Sequence, residues 1–110
     1  MADQTIDKKK TRREMLEAFV AEKPDDTFSR YGLALEFMHS GDVASAEAQF
    51  RELLRRNSGY VPAYQMYAQM LVKASRRDEA RQILTQGIAA ASQAGNAHAR
   101  SEMEELLGGL

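Results

Sequence analysis

The chain has 110 residues, with 15 basic and 16 acidic side chains and a formal charge of -1. That length allows one domain with a small core, and the charge balance excludes a global field drawing the molecule to nucleic acid or anionic lipid. There is no cysteine, which excludes a disulfide framework, a thiolate nucleophile and a thiolate metal site and suits a reducing compartment. The opening residues are polar and charged where a secretory leader needs an apolar core, and no run reaches membrane-spanning length. The expectation is a soluble, cytoplasmic protein.

Strand signals are nearly absent, because β-branched residues are few and apolar positions recur at three and four residues instead of alternating. The chain therefore reads as all-α, with about six helices. The first runs from about Asp7 to Glu22, sets Met15, Leu16, Phe19 and Val20 on one face, and is closed by Pro24. Asp25, Asp26 and Thr27 offer side-chain oxygens to the free amides of a second helix, about Phe28 to Ser40, which Gly41 ends. Asp42 caps a third, about Val43 to Arg56, and Asn57-Ser58-Gly59 makes a turn whose glycine tolerates a left-handed conformation. Pro62 suits the first turn of a fourth helix, to about Ala74, where its missing amide proton is not needed. Ser75 with Asp78 has the spacing of a capping box for a fifth helix, to about Gln93. Gly95 and Asn96 interrupt the pattern before a last helix, about Ala97 to Leu107, with Ala99, Met103, Leu106 and Leu110 as its stripe.

Two segments match each other at a lag of 34 residues: Leu33 with Tyr67, Ala34 with Ala68, Phe37 with Leu71, Ala46 with Ala80, Phe50 with Leu84, and Leu54 with Ile88. Each member is apolar or small where its partner is. A helix-turn-helix unit that cannot bury its own apolar face must stack on copies of itself.

The second copy reads Tyr64, Tyr67-Ala68, Leu71, Asp78-Glu79-Ala80, Leu84 and Gly87, and the first reads Leu33-Ala34, Phe37, Gly41-Asp42, Ala46, Phe50 and Leu53. In residue type and spacing both copies resemble the tetratricopeptide repeat (TPR). The resemblance implies antiparallel helical hairpins stacked as a short right-handed TPR-like solenoid. It divides a single domain, 1–110, into an N-terminal capping helix (1–26), repeat 1 (27–60), repeat 2 (61–94) and a C-terminal capping helix (95–110). Ala34, Ala46, Ala68 and Ala80 then lie where helices cross most closely, since a longer side chain would force the axes apart. Arg30 departs from the pattern, standing where the family has an aromatic or large aliphatic residue; its stem is expected to cover apolar surface while the guanidinium reaches water. A third copy fails in strict register, because His98, Ser101, Glu102 and Glu105 fall at positions that should be buried. One residue inserted in the preceding turn aligns Ala99, Met103 and Leu106 with Tyr64, Ala68 and Leu71. The opening helix supplies only a second-helix pattern, Leu16 and Phe19 matching Phe50 and Leu53.

Stacks of this kind make surfaces for holding other molecules rather than pockets for chemistry. The resemblance thus implies a non-enzymatic protein-binding module, an adaptor or scaffold that takes a peptide or helical segment of a partner in a concave groove. Its groove residues are expected to be Phe28, Tyr31, Leu35, Met38 and His39 from the first hairpin, with Gln65, Gln69, Val72 and Lys73 from the second. The first set is apolar for a face that should be wet. It is either a docking surface or ordinary core covered by the opening or closing helix. Members of the family that grip a C-terminal carboxylate use Lys, Arg and Asn along this groove; Tyr31, Leu35 and Gln69 at comparable positions argue against that, leaving Lys73 as one candidate cation. The alternative from another class is a self-assembling structural module, a homo-oligomer formed through the groove or the terminal helices.

Basic clusters occur at Lys8, Lys9, Lys10, Arg12 and Arg13, at Arg51, Arg55 and Arg56, and at Arg76, Arg77 and Arg81. Lys10 with Glu14, Arg13 with Glu17, Glu47 with Arg51 and Glu52 with Arg56 are four apart, the arrangement of a salt-bridged helix face, and no aromatic residues interleave the basic ones as stacking platforms. Nucleic acid is therefore not the expected partner. His98 and Glu102 share a helix face without a third ligand, His39 suits the negative end of its helix dipole, and neither a phosphate-cradling loop nor a nucleophile elbow is present. No cofactor, metal or small-molecule substrate is expected.

Overall fold

The computed structural model describes residues 11–110, which form six helices and no strand. They are α1 (Arg12–Glu22), α2 (Thr27–His39), α3 (Val43–Arg56), α4 (Val61–Lys73), α5 (Arg77–Gln93) and α6 (Ala97–Gly108). Lys8, Lys9, Lys10 and the expected start of the first helix at Asp7 lie outside the described residues. The chain divides into two compact units, the first ending at Gln49 within α3 and the second spanning Phe50–Leu110.

Helix starts follow local side-chain chemistry. Thr11 and Glu14 form a full capping box on α1, each side chain accepting the other residue's amide. Asp26 is the cap of α2, its Oδ1 accepting the Phe28 amide at 3.1 Å and its Oδ2 the Ser29 hydroxyl at 2.8 Å. Asp42 accepts the Ser45 amide at 3.1 Å, and Asn96 the Ala99 amide at 3.1 Å. These bonds satisfy amides that a first turn leaves without an intrahelical partner. Hydrogen bonds to the ionised form, that from Ser29 first for Asp26 and those from Ser45 for Asp42, hold both carboxyls below the usual range.

The helix ends share one closure. After α2 the Gly41 amide donates to Met38 (3.1 Å) and the Asp42 amide to Phe37 (2.9 Å); after α4, Ser75 donates to Val72 (3.0 Å) and Arg76 to Leu71 (2.9 Å); after α5, Gly95 donates to Ser92 (3.1 Å) and Asn96 to Ala91 (2.9 Å). The closure requires a left-handed residue at its turn, at φ 83° for Gly41, 61° for Ser75 and 68° for Gly95. Ser75 is therefore the repeat equivalent of Gly41, not the start of a capping box. Arg76 occupies the cap position of α5 and pairs its guanidinium with Glu79 at 2.8 Å. Gly59 is not among the residues with positive φ, and Pro62 is the second residue of α4.

In the first unit, α1 lies along α2. Leu16 packs on Gly32, where a methyl group would sit 3.3 Å from Leu16 Cδ2; Arg12 meets Glu36 at 3.3 Å; and the Arg13 guanidinium lies 5.8 Å from the centre of the Phe37 ring. Leu33, Ala34, Phe37 and Ala46 are buried. Arg30 is buried too, at 8% exposure, which corrects the expectation that its guanidinium reaches water. Its Nη1 donates to Gln49 Oε1 at 2.9 Å and its Nη2 to the Pro24 carbonyl at 3.0 Å. The large polar residue is accommodated because neighbouring backbone and amide oxygens replace water.

The second unit holds a core of Val61, Tyr64, Ala68, Leu84, Ala91, Ala99 and Met103, flanked by Ile83, Ile88, Leu106 and Leu107. The rings of Phe50 and Tyr67 stack at 5.3 Å and 7°. Tyr64 donates its hydroxyl to the Ser58 carbonyl at 2.7 Å, and burial pushes its phenol pKa up. The tightest approach is at Gly87, where a methyl group would lie 2.6 Å from Met103 Sδ and 2.6 Å from Tyr64 Cβ. Glycine at this position lets α5 sit against α4 and α6 at once. Ala34, Ala46, Ala68 and Ala80 are all fully buried, as expected of crossing positions.

Candidate functional site

Helix α4 carries Gln65, Gln69, Val72 and Lys73 on the face left over once Tyr64, Tyr67, Ala68 and Leu71 turn into the core. Gln65, Gln69 and Val72 of that face form one wall of a cleft of about 640 Å³ whose other wall is α6, and Lys73 does not line it. Val72, Met103, Leu106 and Leu110 contribute its apolar lining, while Gln65, Gln69, Arg77, Glu102 and Glu105 contribute polar groups. Gln65 Nε2 donates to Glu102 Oε1 at 3.1 Å, joining the walls at one point. The other oxygen of Glu102 lies 3.4 Å from His98 Nε2, one turn earlier. Gln69 and Lys73 are exposed and Val72 is half-buried. An apolar cleft edged by convergent amides and charges of both signs can seat a side chain of a docked segment and orient its backbone.

The expected residues of the first hairpin lie in the first unit. Phe28 is 74% exposed, whereas Tyr31, Leu35 and Met38 are half-buried and His39 is exposed. They occupy the side of α2 away from Arg30, Leu33, Ala34 and Phe37, which are buried. This stripe is thus neither fully wet nor part of the core.

Seven cleft residues had no place in the sequence-derived groove: Arg77 of α5, and Glu102, Met103, Glu105, Leu106, Gly109 and Leu110 of the C-terminal segment. For those of the C-terminal segment the signal was present in the failed third copy. With the one-residue insertion Ala99 and Met103 are buried, and Glu102 and Glu105, misfits in strict register, become outward residues of α6 facing the cleft.

The arginine clusters are bound up with carboxylates. Arg13 lies 3.9 Å from Glu17, Arg55 Nε donates to Glu52 at 2.9 Å, and Arg56 also bonds Glu52. Arg81 meets Asp78 at 2.6 Å and the Leu110 carbonyl at 2.7 Å. Hydrogen bonds from Arg55 and then Arg56 lower the Glu52 pKa to about 2. Among the described residues no group of three or more His, Cys, Asp or Glu side chains could hold a metal ion, and no helix is long and apolar enough to cross a membrane.

A model of the tetratricopeptide repeat matches residues 37–101. The chain is similar to the solution structure of a tetratricopeptide repeat domain protein from Salinibacter ruber, at 30% identity and TM-score 0.72, covering 77% of this chain and 86% of that one. It is also similar to the solution structure of a protein from Bordetella parapertussis, at 25% identity and TM-score 0.76, covering 90% of this chain and 86% of that one. No curated protein matches the chain. The helical hairpins and their spacing define a helical-repeat protein, and the chain belongs to the tetratricopeptide repeat family. That fold generally mediates protein–protein interaction, and proteins of the family are typically non-enzymatic scaffolds.

Proposed function

We propose that this protein holds a peptide or short helical segment of a partner, with the cleft of the second unit as the principal seat. The observation that carries the reading is the cleft itself, where the outward face of α4 and the wall of α6 leave an apolar floor beside amide and charged groups. Gln65 and Gln69 would orient the segment's backbone, Val72 would take an apolar side chain, and Lys73 would pair with an acidic one. Phe28, Tyr31, Leu35 and Met38 of the first unit would add a second apolar docking face. Residues 27–60 and 61–94 would act as the two repeats of one domain, 1–110, with 1–26 and 95–110 as capping segments. The partner class is protein, and no step requires a cofactor.

A displayed peptide library selected on the immobilised full-length chain tests this. Selected peptides should shift amide resonances of Gln65, Gln69, Val72, Glu102 and Leu106, and Val72→Glu should lower their affinity at least tenfold, about 1.4 kcal/mol, without changing helicity. Shifts confined to the outer face of α5, around Gln82 and Gln86, would overturn the cleft assignment.

A further inference from the structure

Helix α1 presents an apolar face that nothing among the described residues covers: Met15 is 47% and Phe19 55% exposed, and no residue of the helix is buried. Met15, Ala18, Phe19 and Glu22 line a shallow depression there of about 170 Å³. At the 34-residue lag, Arg12 corresponds to Ala46 and Ala80, and Phe19 to Leu53 and Gly87. All four counterparts are buried, and Gly87 is pressed by Tyr64 and Met103. Arg12 and Phe19 thus fall at positions that the repeat buries elsewhere, and Met15 falls at Gln49 and Ile83, which are half-buried. The side chains of this face are too large for the close crossing that Gly87 permits, so an occupant must approach at the wider spacing of large side chains that interdigitate.

We infer that this face pairs with the same face of a second copy of the chain, α1 against α1 in antiparallel order about a two-fold axis. The stripe along the helix reads Arg12, Met15, Phe19, Glu22, at the three- and four-residue steps of a single helix face. A two-fold axis through its centre exchanges Met15 with Phe19 and Arg12 with Glu22. Each apolar residue then meets an apolar one, thioether on ring, and each charge meets its opposite. The same operation sets Lys23 opposite Thr11, so no like charges of the two α1 helices meet on this face, and Arg12 stands between Glu36 of its own chain and Glu22 of the second copy. The placement of the charges has no such logic within one helix: an arginine at the N-terminal end and a glutamate at the C-terminal end both oppose the helix dipole, whereas an antiparallel neighbour supplies the complement to each. Arg12 already reaches Glu36, yet its side chain stays 70% exposed and within reach of a second carboxylate. A stable interface buries about 800 Å² on each partner, more than the outward face of an 11-residue helix provides. The dimer is therefore reversible and concentration-dependent.

Sedimentation equilibrium on the full chain, from low micromolar to near-millimolar concentration, tests the pairing. The expected result is a monomer–dimer equilibrium that Phe19→Glu abolishes and Glu22→Arg weakens about tenfold. Adding Arg12→Glu to Glu22→Arg should restore it. A monomer at every concentration overturns the inference, as does a dimer that survives Phe19→Glu with native helicity or one lost instead on Val72→Glu. Should Phe19→Glu fail to fold, oxidative cross-linking decides. An equal mixture of Met15→Cys and Phe19→Cys chains should form a disulfide dimer faster than either chain alone, and the reverse order of rates would exclude this register.

Discussion

Helices α1 and α6 both flank the repeated part of the chain, but only α6 is built into a core. It buries Ala99 and Met103 and sets Met103 against Gly87, whereas α1 buries nothing and leaves Met15 and Phe19 about half exposed. The two helices do not differ in apolar content so much as in what they can approach. A glycine in α5 opens a seat into which α6 settles, while α1 carries Arg12 and Phe19 at the corresponding positions and admits no such neighbour. Side-chain size at two positions decides whether a terminal helix closes a core or offers a face.

The largest test of this contrast is truncation of matched methionines. Met103→Ala should cost about 3 kcal/mol, the price of a cavity in a packed core, whereas Met15→Ala, at a half-exposed site, should cost less than about 0.5 kcal/mol. Denaturant unfolding of dilute protein measures both, and equal losses would mean that α1 is packed as firmly as α6. Gly87→Ala comes next. Its methyl group meets the Tyr64 Cβ, which sits on backbone and cannot swing aside, so about 2 kcal/mol should be lost. Phe19→Ala, at the equivalent position two repeat lengths earlier, should leave the unfolding midpoint of the monomer nearly unchanged. If Gly87→Ala is tolerated, the α4–α5–α6 seat is looser than the geometry implies.

A smaller pair of changes compares the turn after α2 with that after α4. Both need a left-handed residue, supplied by Gly41 in one and Ser75 in the other. Ser75→Gly should stabilise the second unit by about 1 kcal/mol, and Gly41→Ala should destabilise the first by a similar amount. Opposite signs from two substitutions at one repeat position would be hard to obtain unless the turns are equivalent. Like signs would break the equivalence.

Much of the helical layout was legible in the residues because it rests on local chemistry. The alanines at 34, 46, 68 and 80 were identifiable as crossing positions from their spacing, and Asp26, among Asp25, Asp26 and Thr27, and Asp42 as caps, whereas Asn96 was read only as a break in the pattern. What was not legible depended on contacts distant in sequence. Ser75 and Asp78 have the spacing of a cap, and only the bonds from Ser75 to Val72 and from Arg76 to Leu71 show that the preceding helix claims the turn. Arg30 was assigned to water because arginine usually goes there; its burial depends on Gln49, 19 residues on, and on the Pro24 carbonyl. Within the cleft, the α4 wall followed from the repeat, but the α6 wall depended on a one-residue shift of register that decides which glutamates point outward. Met15, Leu16, Phe19 and Val20 were grouped on one face, but Leu16 and Val20 are half-buried and Met15 and Phe19 exposed, since a helical period cannot reveal which side of a stripe anything packs on.

Acid should separate the two units by the chemistry of their caps. In the first unit the caps of α2 and α3 are Asp26 and Asp42, both with lowered pKa; in the second, the cap of α6 is Asn96, which does not titrate. A carboxyl whose folded pKa lies below its unfolded value near 3.8 stabilises the fold above that value. The contribution is lost as pH falls through the folded pKa, because the protonated group no longer accepts the first-turn amides as strongly. Glu52, lowered from 4.5 to about 2, belongs to the second unit but bonds Arg55 and Arg56 of its own helix and no amide of α6. Amide exchange, corrected for its intrinsic pH dependence, should therefore show Phe28 and Ser45 losing protection below about pH 4 while Ala99, bonded to Asn96, keeps its own. Replacing Asp42 by Asn should remove the pH dependence at Ser45 and leave the bond in place. Parallel loss at all three amides would mean that the units unfold together and that the caps do not set the order.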